Sequence, residues 1–165
     1  MPALATGTTA PDFTLPALDG KRFSLHEALR KGPVVVVFFK ITCPVCQFAL
    51  PFIERLHHAY RGRGVAVVGI SQNDTQSTSQ FVKQYGITFP VVLDDPGKYE
   101  VSNAYGLTNV PTVFLIAPDG EITVSSVGWA RKDIEEINAQ LADVAQADRV
   151  PVFRRGEDIP DWKAG

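Results

Sequence analysis

The chain has only two cysteines, and both stand in Cys43-Pro44-Val45-Cys46. Two thiols at this spacing can close a disulfide and open it again, so the chemistry they suggest is exchange with other thiols. Side chains three apart on a helix have Cβ atoms about 5–6 Å from each other. A disulfide wants about 3.5–4.5 Å, so closure needs only a small local adjustment. Pro44 suits the first position of a helix because its missing amide hydrogen would be unpaired there anyway. Cys43 is then the N-cap, where free N–H groups and the positive end of the helix dipole favour a thiolate over a thiol. Cys43 is the expected nucleophile. It attacks a substrate disulfide, and Cys46 resolves the mixed disulfide.

The same spacing can also be half of a zinc site. A closed structural site wants four ligands, and the chain has no second cysteine pair and no matching spacing among His26, His57 and His58. No metal is expected, and no cofactor beyond a redox-active Cys43–Cys46 disulfide. Lys40, three residues before Cys43, tunes the thiol if its ammonium reaches the sulfur, and otherwise is a solvated strand end. His57 and His58 read as solvated on the polar side of a helix. Arg61-Gly62-Arg63-Gly64 reads as a helix exit, because a phosphate loop would follow a strand and this stretch precedes one.

Several elements must position the pair. Val34 to Phe39 is an unbroken β-branched and aromatic run, as in a strand covered on both faces. From Val45 onward Phe48, Ala49, Phe52, Ile53, Leu56 and Tyr60 recur at helical spacing, with Pro51 expected to kink the helix. Upstream, Phe13, Leu15 and Phe23 around Asp19-Gly20 read as a hairpin, and Ser24 with Glu27 as a capping box for a short helix. Downstream, Val65 to Ile70 reads as a buried strand. A helix follows, capped at Asp74 or Thr75, carrying Phe81, Val82 and Tyr85 and ending at Gly86. Val91 to Leu93 is a strand piece, Asp94-Asp95-Pro96-Gly97 a turn, and Tyr99 to Tyr105 a short helix. Thr112 to Ala117 and Glu121 to Val127, joined by Pro118-Asp119-Gly120, make a hairpin, so the sheet is mixed. A last helix from near Arg131 should bury Ile134, Ile137, Leu141 and Val144.

Laid out this way, the chain resembles the thioredoxin superfamily from about Ala10 to Val144, and within it the TlpA/ResA-like and AhpC/TSA-related redoxins. The resemblance rests on Ala10-Pro11-Asp12-Phe13-Thr14-Leu15, the strand Val34 to Phe39, the cysteine pair, Pro51, and Val110-Pro111-Thr112. Tyr85 to Val91 and Tyr105-Gly106-Leu107 look like the βα insert that these redoxins add to the minimal fold. The resemblance implies an α/β thioredoxin-like fold with a mixed central sheet flanked by helices and an N-terminal hairpin. It also implies that Pro111 is a cis-proline against the cysteines and that the backbone of Val110 pairs with an extended substrate segment. Such pairing reads main chain and tolerates varied side chains.

Three positions depart from the thioredoxin pattern. Thr42 replaces the tryptophan before the first cysteine. Val37 replaces the buried aspartate that assists proton transfer. Pro44-Val45 replaces the Gly-Pro between the cysteines. Lys40, Thr42 and Pro44 are thus the residues placed to tune the pair, and the direction of electron flow stays open.

The function expected is thiol-disulfide oxidoreductase. One alternative is a peroxiredoxin-like peroxidase with Cys43 as the peroxidatic cysteine. It is weakened by Val36 and Lys40, which stand where peroxiredoxins carry proline and threonine. A second alternative is a binding module of the same fold without turnover, against which two closely spaced thiols argue.

A formal net charge of −2 gives no basic field for nucleic acid or anionic lipid. No apolar run approaches the roughly 20 residues of a membrane helix. The expected partners are a disulfide-bearing protein or small thiol and a reductant, with the chain a monomer or weak homodimer. Met1 to Asp12 shows no secretory leader, which points to the cytoplasm, or to the periplasm if a leader has been removed. One domain spanning residues 1–147 is expected, with a C-terminal tail at 148–165. Val150, Val152, Phe153 and Trp162 are apolar enough to pack that tail on its own domain.

Overall fold

The computed structural model describes residues 3–165. Met1 and Pro2, which open both the leader reading and the domain range, lie outside the described residues. The N-terminal hairpin pairs β1 (Thr14–Pro16) with β2 (Arg22–Ser24). Helix α1 (Leu25–Leu29) follows, with the Ser24 hydroxyl accepting from the Glu27 amide and the Asp12 carboxylate accepting from that of His26. Two helix-start donors are thereby satisfied by side chains.

The central strand β3 (Val34–Phe39) is buried along its whole length. Successive side chains of a strand point to opposite faces, and each face has its own core. Val35, Val37 and Phe39 pack with one cluster, and Val34, Val36 and Phe38 with the other. The first face is covered by α2 (Pro44–Tyr60), which runs on through Pro51. Proline has no amide to donate to the Gln47 carbonyl, so one helix bond is missing there. The chain leaves α2 through Gly62 and Gly64, both at positive φ, and enters β4 (Ala66–Ser71) parallel to β3.

Helix α3 (Thr75–Tyr85) is capped by Asp74, which accepts from the Ser77 amide at 2.7 Å, and it stops at left-handed Gly86. β5 (Val91–Leu93) then pairs parallel with β4 as the sheet edge. Asp94 opens the stretch read as a turn, and its side chain faces inward. It is buried and accepts from the amides of Val101 and Ser102, capping α4 (Glu100–Ala104), because a carboxylate near free helix amides is stabilised there. β6 (Thr112–Ile116) and β7 (Ile122–Val127) complete a five-stranded mixed sheet ordered β5-β4-β3-β6-β7.

A short strand, β8 (Trp129–Ala130), leads into α5 (Arg131–Ala145). Val144, expected inside, is 47% exposed, and Asn138 and Ala142 are buried instead. The buried stripe centres on Ile134, Asn138 and Leu141. At 3.6 residues per turn, Val144 falls about 90° from that centre.

The segment 148–165 crosses the helical face. Val152 is buried, and Phe153 lies against Phe52 and Trp129. Arg55 grips both Glu157 oxygens at 2.8 and 2.7 Å. The indole N–H of Trp129 donates to the Pro160 carbonyl at 2.7 Å. The segment ends in β9 (Trp162–Lys163), paired antiparallel with β8, a strand that the sequence reading did not foresee.

Candidate active site

β3 delivers Lys40 to Thr42 at its C-terminal end, and α2 begins with Cys43 as its N-cap. The Cys46 amide donates to Cys43 Sγ at 3.2 Å, and the Cys43 thiol donates to the Val110 carbonyl at 3.4 Å. The two sulfurs have unequal surroundings. Cys43 is half-buried and reachable, whereas Cys46 is fully buried, and both are free thiols. Burial pushes the Cys46 thiol well above its ordinary range, and the neighbouring Cys43 side chain adds to the shift.

Pro111 is buried, and the Val110–Pro111 peptide is cis. The turn holding it is tied twice, by the Thr112 hydroxyl donating to the Asn109 carbonyl at 2.7 Å and by the Gly128 amide donating to the Pro111 carbonyl at 2.7 Å. Pro44 occupies the first helical position, exposed, and Thr42 is exposed beside it. Lys40 is exposed on the rim of a hollow of about 450 Å³ next to Cys43, and among the described residues its ammonium makes no hydrogen bond. The structure thus links Cys43 to Cys46 and to Val110 by hydrogen bonds, with Pro111 following Val110 in the chain, and leaves the side chains of Lys40, Thr42 and Pro44 at the edge.

Val37 is buried in β3 without a polar atom to offer Cys46. His57 departs from expectation: it is half-buried with its ring edge-on to Phe89, and burial holds its pKa below the usual imidazole value. His58 is exposed. Among the described residues no three His, Cys, Asp or Glu side chains gather as a metal cluster.

Several neighbours of the site carry no sequence signal. Gln72 donates to the Ser102 hydroxyl at 2.9 Å, and Ser102 donates to buried Asp94 at 2.7 Å, so one wall of the hollow is held by a polar chain from β4 to α4. Asn109 donates to the Gly165 carbonyl at 3.1 Å, which brings the C-terminal segment to the same wall. Nothing local marks Gln72, Ser102 or Asn109, because their partners lie 30 or more residues away or in another loop.

A mixed sheet whose central strand hands a dithiol to the first turn of the next helix, facing a cis X-Pro turn, defines a thioredoxin-like fold. Comparison with known proteins agrees. The AhpC/TSA family model matches residues 6–125. The thiol-disulfide oxidoreductase ResA of Geobacillus thermodenitrificans is 32% identical over 143 residues, covering 86% of this chain and 79% of that one. The ResA of Halalkalibacterium halodurans is 36% identical over 132 residues, covering 79% and 73%. The crystal structure of a thiol:disulfide interchange protein of the thioredoxin family from Chlorobium tepidum superposes with a TM-score of 0.70 at 28% identity, over 84% of this chain and 99% of that one. The chain belongs to the AhpC/TSA family and, within the thioredoxin superfamily, to the ResA-like thiol-disulfide oxidoreductases.

Proposed function

We propose that the chain exchanges disulfides with an extended protein segment or small thiol through a Cys43–Cys46 pair. The observation that carries this reading is the asymmetry of the two thiols: a reachable sulfur at a helix N-terminus, bonded to the amide of a buried one. Cys43, as thiolate, attacks one sulfur of the substrate disulfide. A bond forms between the two sulfurs, and the other substrate sulfur leaves as a thiolate. Cys46 then gives up its proton and attacks Cys43 Sγ, and the substrate departs as a dithiol. The protein keeps the disulfide, the substrate gains two electrons, and a dithiol reductant resets the pair by the reverse steps.

The Val110 carbonyl has a part in this sequence. It accepts from the Cys43 thiol in the reduced state, and once that proton has gone it is free to accept from a substrate amide.

Stopped-flow loss of the Cys43 thiol, measured against a small disulfide and against hydrogen peroxide, tests the reading. Faster loss with the disulfide is expected, abolished in Cys43→Ser and arrested as a mixed disulfide in Cys46→Ser. Much faster loss with peroxide would make the chain a thiol peroxidase instead.

A further inference from the structure

We propose that the segment Asp161–Gly165 is a tethered competitor of the substrate, laid as an extended strand across the groove that leads to Cys43. This rests on the reading of Cys43 as nucleophile and of Val110 as the residue that pairs with substrate.

The path of the segment carries the inference. The Arg131 amide donates to the Asp161 carbonyl at 2.9 Å, and Trp129 faces Lys163 in the antiparallel register. Two residues along such a ladder lies the next hydrogen-bonded pair, so Trp129 and Lys163 exchange main-chain bonds. The segment then passes over Gly128 so closely that a Cβ there would lie 2.4 Å from the Lys163 carbonyl oxygen and 3.0 Å from the Gly165 nitrogen. Gly128 also has φ +75°, so glycine is needed there for both reasons.

From Gly128 the chain reaches the cis-proline turn. A Cβ on Gly165 would lie 2.7 Å from the Val110 carbonyl oxygen and 3.2 Å from Asn109 Cβ. An extended chain therefore already lies against the carbonyl that a substrate strand would use. The Lys163 ammonium sits 5.2 Å from the ring centroid of Phe48, two residues past Cys46.

The anchoring of the segment is graded. Residues 150–157 are held by the buried Val152, the Phe153 contacts and the Arg55–Glu157 pair. The tip is held by backbone pairing, by the Asn109 amide donating to the Gly165 carbonyl and by one cation over an aromatic face, with no buried side chain and with Trp162 64% exposed. Such a tip can lift while its base stays docked. The groove it covers fits a partner of similar chemistry: an extended chain antiparallel to Trp129–Arg131, with a basic side chain over Phe48.

The test uses the full chain and two probes that share a leaving group. One is 2,2′-dithiodipyridine, which needs no groove. The other is an unstructured Gly/Ser/Ala decapeptide whose single cysteine carries a 2-thiopyridyl disulfide. In each, Cys43 bonds to a sulfur and pyridine-2-thione leaves, which gives the optical readout.

Lys163→Pro removes one ladder amide. It should raise the peptide rate about threefold or more, the shift expected from losing one net hydrogen bond, and leave the dithiodipyridine rate unchanged. Lys163→Ala, which keeps the amide, should raise the peptide rate less. Amide exchange at Trp129 and Arg131 should quicken in the same order, with Val34–Phe39 still protected.

A peptide rate that stays flat or falls while that exchange quickens would overturn the proposal. So would exchange that stays slow in both variants, since a tip that cannot open cannot compete. Loss of both probe reactions, or an unchanged rate in Cys43→Ser, would instead remove the reading on which the proposal rests.

Discussion

The two cysteines differ by burial more than by sequence context, and that difference sets the pH behaviour of the second step. Because burial raises the Cys46 pKa, the proposed attack of Cys46 on the mixed disulfide would be limited by the small fraction of thiolate. With Cys43 preloaded with a small thiol, release of that thiol should speed up about tenfold per pH unit, without levelling by pH 9, as follows for a group titrating above that range. A plateau between pH 7 and 8 would show that Cys46 ionises in the ordinary range. The same burial predicts selective alkylation: brief iodoacetamide treatment of the reduced protein at pH 8 should modify Cys43 alone, as peptide mass mapping would show. No acidic neighbour of Cys46 was legible in the sequence once Val37 occupied the aspartate position, and in the structure that position is a fully buried valine side chain.

At the scale of elements, the joint between α2, α5 and the C-terminal segment is polar and buried. The Tyr60 hydroxyl donates to Asn138 Oδ1 and accepts from the Val150 amide at 3.2 Å, while Asn138 Nδ2 donates to the Val150 carbonyl at 2.7 Å. Asn138→Ala strands the carbonyl and loosens the hydroxyl, and should cost about 2–3 kcal/mol in urea unfolding, the penalty of unsatisfied buried groups. Tyr60→Phe, which strands the Val150 amide and leaves Asn138 Oδ1 without its donor, should cost a similar amount. The Arg55–Glu157 pair responds to acid. The Arg55 guanidinium and the Arg154 amide hold the Glu157 carboxyl at about 2, against an ordinary 4.5. A carboxylate depressed on folding contributes stability above its unfolded pKa and loses it as pH falls through the folded one. Docking of the segment should therefore weaken between pH 4.5 and 2. Amide exchange at Arg154 across that range is the measurement, and Glu157→Gln should abolish the acid step. Sequence periodicity found α2 and α3 readily. It misplaced Val144 because three-residue spacing drifts off a 3.6-residue stripe.

For the whole molecule, the aromatic cluster of Phe48, Phe52, Trp129 and Phe153 joins the cysteine helix, the last sheet connection and the C-terminal segment. Residues 148–158 therefore share one core with the sheet rather than trailing from it. Fluorescence of Trp129 and far-UV circular dichroism should report the same urea midpoint, as a single cooperative unit requires. A separate early transition in Trp129 fluorescence would mean that the segment undocks first. Ile53→Ala, at a site with no exposure on the sheet-facing side of α2, should lower stability by about 2–4 kcal/mol.

What the chain alone determined is what local chemistry can express: the dithiol spacing, the proline at the helix start, the doubly buried strand, the caps at Ser24 and Asp74, and the glycine stops. These depend on residues within a few positions of one another, so periodicity and propensity suffice to read them. Tertiary structure alone decided which thiol is buried, that the Val110 carbonyl receives the Cys43 proton donor, and that Asp94 is an internal cap. It alone decided that residues 161–165 lie over Gly128 and against Val110. Each of these joins groups far apart in sequence, through burial or through main-chain atoms whose pairing leaves no mark on side-chain identity.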